Sequence, residues 1–175
     1  MIRLLTPDDA PAYVVLRRQM LLDSPWAFTA TPDNDRGSDL ASVSKSLAGP
    51  DYAIAGAFGD SRLLSVAVSF REANPKRAHL AWIVSVYTHP AARRRGLSRC
   101  VLALLLDQIR TWPDIASVLL QVSERAVEAR ALYESLGFVA WGIEPDAIRV
   151  GDGSYAETHM RLSLSATPAA GQTSN

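Results

Sequence analysis

The sequence predicts a single α/β domain. Three observations carry that expectation: the chain length, the order in which strand-like and helical patterns alternate, and the lack of any internal repeat or long linker. At 175 residues the chain fits one domain at about 150 residues each. A chain this long buries roughly 70% of its unfolded surface, so it folds without disulfide or metal staples. Apolar residues make up 48% and charged residues 21%, an ordinary globular composition. The 18 basic and 18 acidic residues cancel, which argues against a nucleic-acid-coating role. The single cysteine, Cys100, can build neither an internal disulfide nor a thiolate metal site, and no metal is expected. No signal peptide is expected at the N-terminus. The longest apolar run, Cys100 to Leu106, is far below the roughly 18 residues of a membrane span. A cytoplasmic protein without a membrane partner is the expectation. The domain is assigned to residues 1–165. Residues 166–175, small and polar with Pro168 and Gly171, read as a disordered tail.

Each element has a local reason. Ile2, Leu4 and Leu5 suggest a short first strand. Thr6-Pro7-Asp8-Asp9 is a helix start, with a capping threonine, a first-turn proline and acids at the positive end of the dipole. That helix is expected to reach about Leu22. Ser24 to Gly37 reads as loop, and a weaker helix runs from Ser38 to Ala48, stopped by Gly49-Pro50. Tyr52–Phe58 and Arg62–Phe70 read as a hairpin turning at Gly59-Asp60. Ala78 to Thr88 is apolar at almost every position, as in a central strand covered on both faces. Pro90 to Ser98 reads as loop, and Arg99 to Arg110 as a largely buried helix in which Cys100 is a small apolar residue. Ser117–Val122 is a strand. Ala126–Leu136 is a helix with Ala129, Leu132, Tyr133 and Leu136 on one stripe, closed by Gly137. Phe138–Ile148 and Ser154–Leu164 form a last pair around Gly151-Asp152-Gly153. The order is β-α-α-β-β-β-α-β-α-β-β.

The chemistry concentrates between Val84 and Arg99. A helix N-terminus has backbone N–H groups without intrahelical partners at the positive end of its dipole, a ready anion site. Gly96 lets phosphate approach the backbone. Arg93, Arg94, Arg95 and Arg99 add charge-assisted donors. A solvated basic loop has the same composition, so the residues alone leave both readings open.

Arg93-x-x-Gly96-x-Ser98, six residues after Pro90, resembles the acyl-CoA signature of the GCN5-related N-acetyltransferases (GNAT), Gln/Arg-x-x-Gly-x-Gly/Ala. Ala129-Arg130-Ala131-Leu132-Tyr133-Glu134-Ser135-Leu136-Gly137-Phe138 is similar to the family's second signature. With the order of elements, the resemblance covers about Ile2 to Leu164. It implies a mixed, mostly antiparallel sheet of about seven strands flanked by about four helices. It further implies acetyl-CoA as co-substrate. The pantetheine arm would pair with the splayed strand at Val86, Tyr87 and Thr88, and the pyrophosphate would sit in the loop Arg93, Arg94, Arg95, Gly96, Leu97 and Ser98, with Arg99 close by. Tyr133 matches the tyrosine that assists the departing thiolate. A phenol near pKa 10 and a thiol near 8.5 make that role hydrogen bonding and proton steering, not downhill transfer. Ser98 departs from Gly/Ala but is small. Ala126 replaces an asparagine that many members use to hold pantetheine, a loss of about 1 kcal/mol.

The reaction so implied is N-acetyl transfer to a primary amine by direct attack in a ternary complex, with the Val86 N–H as oxyanion donor. A general base is required. Glu124 is a candidate whose alternative is a solvated charge beside Arg125, and His159, His79 and His89 are candidates whose alternative is a structural role. Trp82 and Trp141 read as core or pocket. Trp26 and Phe28, in Ser24–Phe28, suggest a lid. The acceptor, a small molecule or a peptide amine, is left open, as is homodimerisation, which is common in the family. A non-catalytic acyl-CoA-binding module is the alternative. A nucleotide enzyme is disfavoured because no Gly-x-x-x-x-Gly-Lys-Ser/Thr loop is present.

Overall fold

The computed structural model describes residues 1–164, and the tail expected at 166–175 lies outside the described residues. Seven strands form one sheet in the order β1-β2-β3-β4-β5-β7-β6. They are β1 (Ile2–Leu4), β2 (Tyr52–Gly59), β3 (Arg62–Arg71), β4 (Leu80–Thr88), β5 (Ser117–Ser123), β6 (Val139–Val150) and β7 (Gly153–Ser163). Four helices flank them: α1 (Ala10–Asp23), α2 (Leu40–Leu47), α3 (Leu97–Arg110) and α4 (Val127–Ser135). Every strand pair is antiparallel except β4 with β5, whose crossover carries α3 as parallel neighbours require. The mixed, mostly antiparallel architecture is the one the family resemblance implies.

Two apolar layers sandwich the sheet. On one face Ala53, Ala55, Ala57, Ala67 and Ala81 form a stripe of small side chains. Val101, Leu102, Leu105, Leu106 and Ile109 of α3 are buried against that face, at the spacing of one helical stripe. Cys100 falls off that stripe and is exposed, which corrects the expectation of a buried residue. On the other face, α1 buries Tyr13, Leu16, Met20 and Leu21 in a cluster with Ile54, Val66 and Val68.

Several boundaries differ from expectation for local reasons. The β2–β3 turn is made by Asp60 and Ser61, both at positive φ (49° and 61°), while Gly59 still pairs with Arg62. Both central residues of a tight two-residue hairpin need positive φ, so the turn centres one position later than the glycine suggests. Helix α3 begins at Leu97 because Gly96, at φ 73°, forms its N-cap. The expected double coverage of β4 holds at Leu80, Ala81 and Ile83, which are buried, but not at Val84, which is 36% exposed. Trp141 is neither core nor pocket: it lies exposed on the edge strand β6 with its ring against His159.

Candidate active site

Strand β4 is bonded differently along its two edges. Against β3 it pairs from Ala81 to Thr88, interrupted where Val68 faces Val84 and Val66 faces Tyr87. One extra residue of β4 is thus accommodated opposite Ala67, a bulge. Ser85 takes positive φ there (53°). Against β5, pairing covers only Leu80–Trp82 with Ser117–Leu119. Beyond Trp82 the two strands part and a cavity of about 280 Å³ opens between them. Ile83 to Val86 line one side of it, and Gln121 to Ser123 of β5 line the other. Val86 lies on β4 beyond Trp82, where β5 no longer pairs with the strand.

The wall on the α1 side is tightly bonded. Arg17 of α1 donates from Nε and Nη2 to Asp35 at 2.6 and 2.7 Å. From Nη1 it donates to Ser85 Oγ at 2.8 Å and to the Tyr13 hydroxyl at 3.1 Å. Burial is the largest single effect and opposes the Arg17 charge, but the hydrogen bonds and charge of Asp35 together with Tyr13 outweigh it, so its pKa is raised. The segment Ala27–Ala30 completes this wall. Next to it, the Arg125 guanidinium lies over the rings of Trp26 (5.1 Å) and Tyr155 (5.3 Å). These cation–π contacts join the α1–α2 loop, the β5–α4 turn and the last hairpin.

The opposite wall carries a polar group without a partner. Ser123 Oγ is buried with no hydrogen bond among the described residues. Tyr133, from α4, is 5% exposed; burial pushes its phenol pKa up, and its ring packs edge-on to Phe138. Glu157, opposite Ser123 in the β5–β7 register, is 8% exposed and lines the cavity. Its carboxyl pKa is raised by burial first and by Glu144 second, with His159 opposing. A cleft-lining carboxyl with a raised pKa is a candidate functional group.

Glu157 was missed in the sequence. Its only signal there is that it alternates with His159 on one strand face. That this face meets Ser123 and the open edge of β4 depends on β7 inserting between β5 and β6, which spacing does not reveal. The base candidates from the sequence are placed otherwise. The Glu124 carboxylate accepts the Ala156 N–H at 3.0 Å and does not line the cavity. His159 pairs with Glu144 at 3.1 Å. Trp82 does line the cavity, with Nε1 donating to Glu72 at 3.2 Å. His89 accepts the Ala91 N–H at 3.2 Å through Nδ1, and Nε2 faces Gln19. The backbone of His79 accepts from Ala116 at 2.8 Å.

The basic turn follows β4. Arg94 (φ 61°) and Gly96 (φ 73°) both take the left-handed conformation, and a Cβ on Gly96 would meet nothing within 4 Å. The space in front of α3 is therefore open. Cys100 is the first residue of the helix whose N–H bonds back, to Gly96 O at 3.2 Å, so the Leu97, Ser98 and Arg99 N–H groups are orphans. The arginines are not equivalent. Arg93 turns inward: it donates to Thr88 O at 3.1 Å, pairs with Asp23 and covers the Tyr87 ring. Arg99 donates to Ser135 Oγ at 2.7 Å and ties α3 to α4. Arg94 and Arg95 are exposed. Tyr87 is buried with α1; burial, then Asp23, pushes its pKa up to about 12. Thr88 Oγ1 bridges Ser65 Oγ (2.6 Å) and Ser98 Oγ (2.8 Å), which locks strand end to helix start.

Comparison with known proteins agrees with this geometry. The model of the acetyltransferase (GNAT) family matches residues 19–138. The fold of an acetyltransferase of the GNAT family from Streptococcus pneumoniae is similar, with TM-score 0.82 and 16% identity over 94% of this chain and 99% of that one. The Salmonella typhimurium protein yncA, solved with its cofactor acetyl-CoA, gives TM-score 0.80 and 19% identity over 97% and 98%. The ribosomal-protein-S18-alanine N-acetyltransferase from Escherichia coli gives 0.71 and 24% over 100% and 98%. No curated protein matches at a significant level. The splayed β4–β5 pair, the glycine turn and the matched residues make this chain a member of the GNAT acetyltransferase family, whose members use acetyl-CoA. Among the described residues no helix is long and apolar enough to cross a membrane.

Proposed function

We propose that this protein transfers the acetyl group of acetyl-CoA to a primary amine by direct attack in a ternary complex. The observation that carries the reading is one cavity holding the unpaired edge of β4 together with Tyr133 and Glu157. The pyrophosphate would sit on the orphan N–H groups at Leu97–Arg99, with Arg94 and Arg95 adding charge. Pantetheine would run along Val86, Tyr87 and Thr88 through their backbone.

The chemistry then follows from placement. An alkylammonium must lose a proton before it attacks. Glu157 takes that proton, and burial makes it a stronger base than a solvated carboxylate. The C–N bond forms, and the Val86 N–H supports the oxyanion. Collapse breaks the C–S bond. Tyr133, kept protonated by burial, donates a hydrogen bond to the leaving thiolate. The amine's second proton leaves the nitrogen as the amide forms and ends on the thiolate sulfur, steered by the Tyr133 hydroxyl, while Glu157 returns the first proton to solvent; the products are an acetamide and CoA thiol. Glu124 and His159, bonded elsewhere, act as structural groups in this scheme.

Calorimetric titration with acetyl-CoA tests the reading. Saturable binding that Gly96→Glu abolishes, followed by turnover with members of an amine panel, is the expected result. No binding at high micromolar acetyl-CoA would sink it. Ala126, which lines the cavity without offering a polar group, favours the second reading, a binding module, and that reading predicts binding with no turnover on any amine.

A further inference from the structure

We infer that Arg17 is a positioning residue that holds the β4 bulge in shape and ties it to the α1–α2 loop on the acceptor side. The inference rests on the acetyl-transfer reading above. A serine at positive φ occupies a conformation that L-residues avoid unless their surroundings impose it. At Ser85 the imposing group is Arg17 Nη1, 2.8 Å from Oγ. Arg17 is itself immobilised, since its Nε and Nη2 engage both oxygens of Asp35. The two side chains are 13% and 2% exposed.

The loop is packed onto the same guanidinium. The Gly37 N–H donates to Asp35 at 3.0 Å, and a Cβ on Gly37 would lie 2.4 Å from Arg17 Nε. One planar fork therefore fixes Ser85 on the catalytic strand and Asp35 in the loop, a geometry that a lysine cannot reproduce. Because Asp35 already neutralises Arg17, the guanidinium is not a free anchor for a substrate carboxylate. Its role is to set the backbone that follows Ser85, where Val86 faces the thioester.

The test uses Ser85 variants and two ligands. Acetyl-CoA senses β4 through its pantetheine arm, while adenosine 3′,5′-bisphosphate carries phosphates without that arm. Ser85→Ala removes the bond to Arg17 but keeps a side chain at positive φ. It should weaken acetyl-CoA about tenfold and leave the bisphosphate unchanged. Ser85→Gly also lacks the bond but adopts positive φ freely, so it should recover to near wild-type affinity. The charge-balanced Arg17→Met/Asp35→Asn variant should behave like Ser85→Ala and be rescued by adding Ser85→Gly. Wild-type acetyl-CoA affinity in Ser85→Ala overturns the inference. So does failure of glycine to rescue, or parallel loss of both ligands. Those results leave acetyl-CoA binding by the wild type intact. Absence of wild-type binding to acetyl-CoA overturns the functional reading, and this inference with it.

Discussion

The two walls of the cavity are finished in opposite ways. On the α1–β4 side, Tyr13, Arg17, Asp35 and Ser85 form one closed set of hydrogen bonds. On the β5–β7–α4 side, Ser123 Oγ is buried with no hydrogen bond among the described residues, and Tyr133 and Glu157 line the same space. Buried polar groups are ordinarily satisfied because each orphan costs free energy. In the proposed reading the difference separates a scaffold from a working surface: one wall would hold the backbone at Ser85 still, and the other would keep polar groups available to react.

The largest test of that contrast removes one charge from the closed wall. Arg17→Met alone leaves Asp35 buried and unpaired and should cost about 3–5 kcal/mol in denaturant unfolding. The Arg17→Met/Asp35→Asn pair should lose far less. Equal losses would show that the network is not closed around the charge pair.

Next comes Glu157→Gln on the open wall, which should lower turnover with an accepted amine by about a hundredfold while raising the melting temperature at neutral pH. The sign follows from linkage. Glu157 has a raised pKa in the folded state, so the folded protein holds its proton longer than the unfolded chain. The residue's charge therefore destabilises the fold increasingly as pH rises from the unfolded pKa through the folded one. Activity runs the other way and falls as pH drops through that raised pKa, and the variant should lack this limb. A variant that loses stability instead would mean that Glu157 has a structural partner.

Tyr133→Phe should reduce turnover about tenfold, a smaller effect because a thiolate leaves well unaided. Circular dichroism should be unchanged. Wild-type rates across pH would remove the residue from the reaction. The smallest effect is expected for Ser123→Ala: unchanged or higher stability, by about 1 kcal/mol at most. A loss beyond that in thermal unfolding would expose a hidden partner and soften the contrast between the walls.

The residues of the proposed cofactor half could be nominated from the chain because they are local. Gly96, the arginines and Tyr133 lie in two short segments whose spacing sets their conformation. Gly96 is needed at positive φ to cap α3, and Tyr133 falls on the apolar stripe of α4. The acceptor half was not legible. Glu157 is a strand acid like many others until β7 places it opposite Ser123. Arg17 and Ser85 are 68 positions apart, and nothing near either names the other. Arg93 looked like its neighbours but folds back onto Asp23 and Thr88.

By itself the sequence determined the order of elements and the apolar stripes of the helices, since these follow from periodicity and capping within a few residues. Only the tertiary structure decided where β4 leaves β5, which arginine turns inward and which carboxyl lines the cavity. Those depend on strand register and on packing between distant segments. A one-residue shift in a strand exchanges its faces, and such a shift changes no local pattern that the sequence displays.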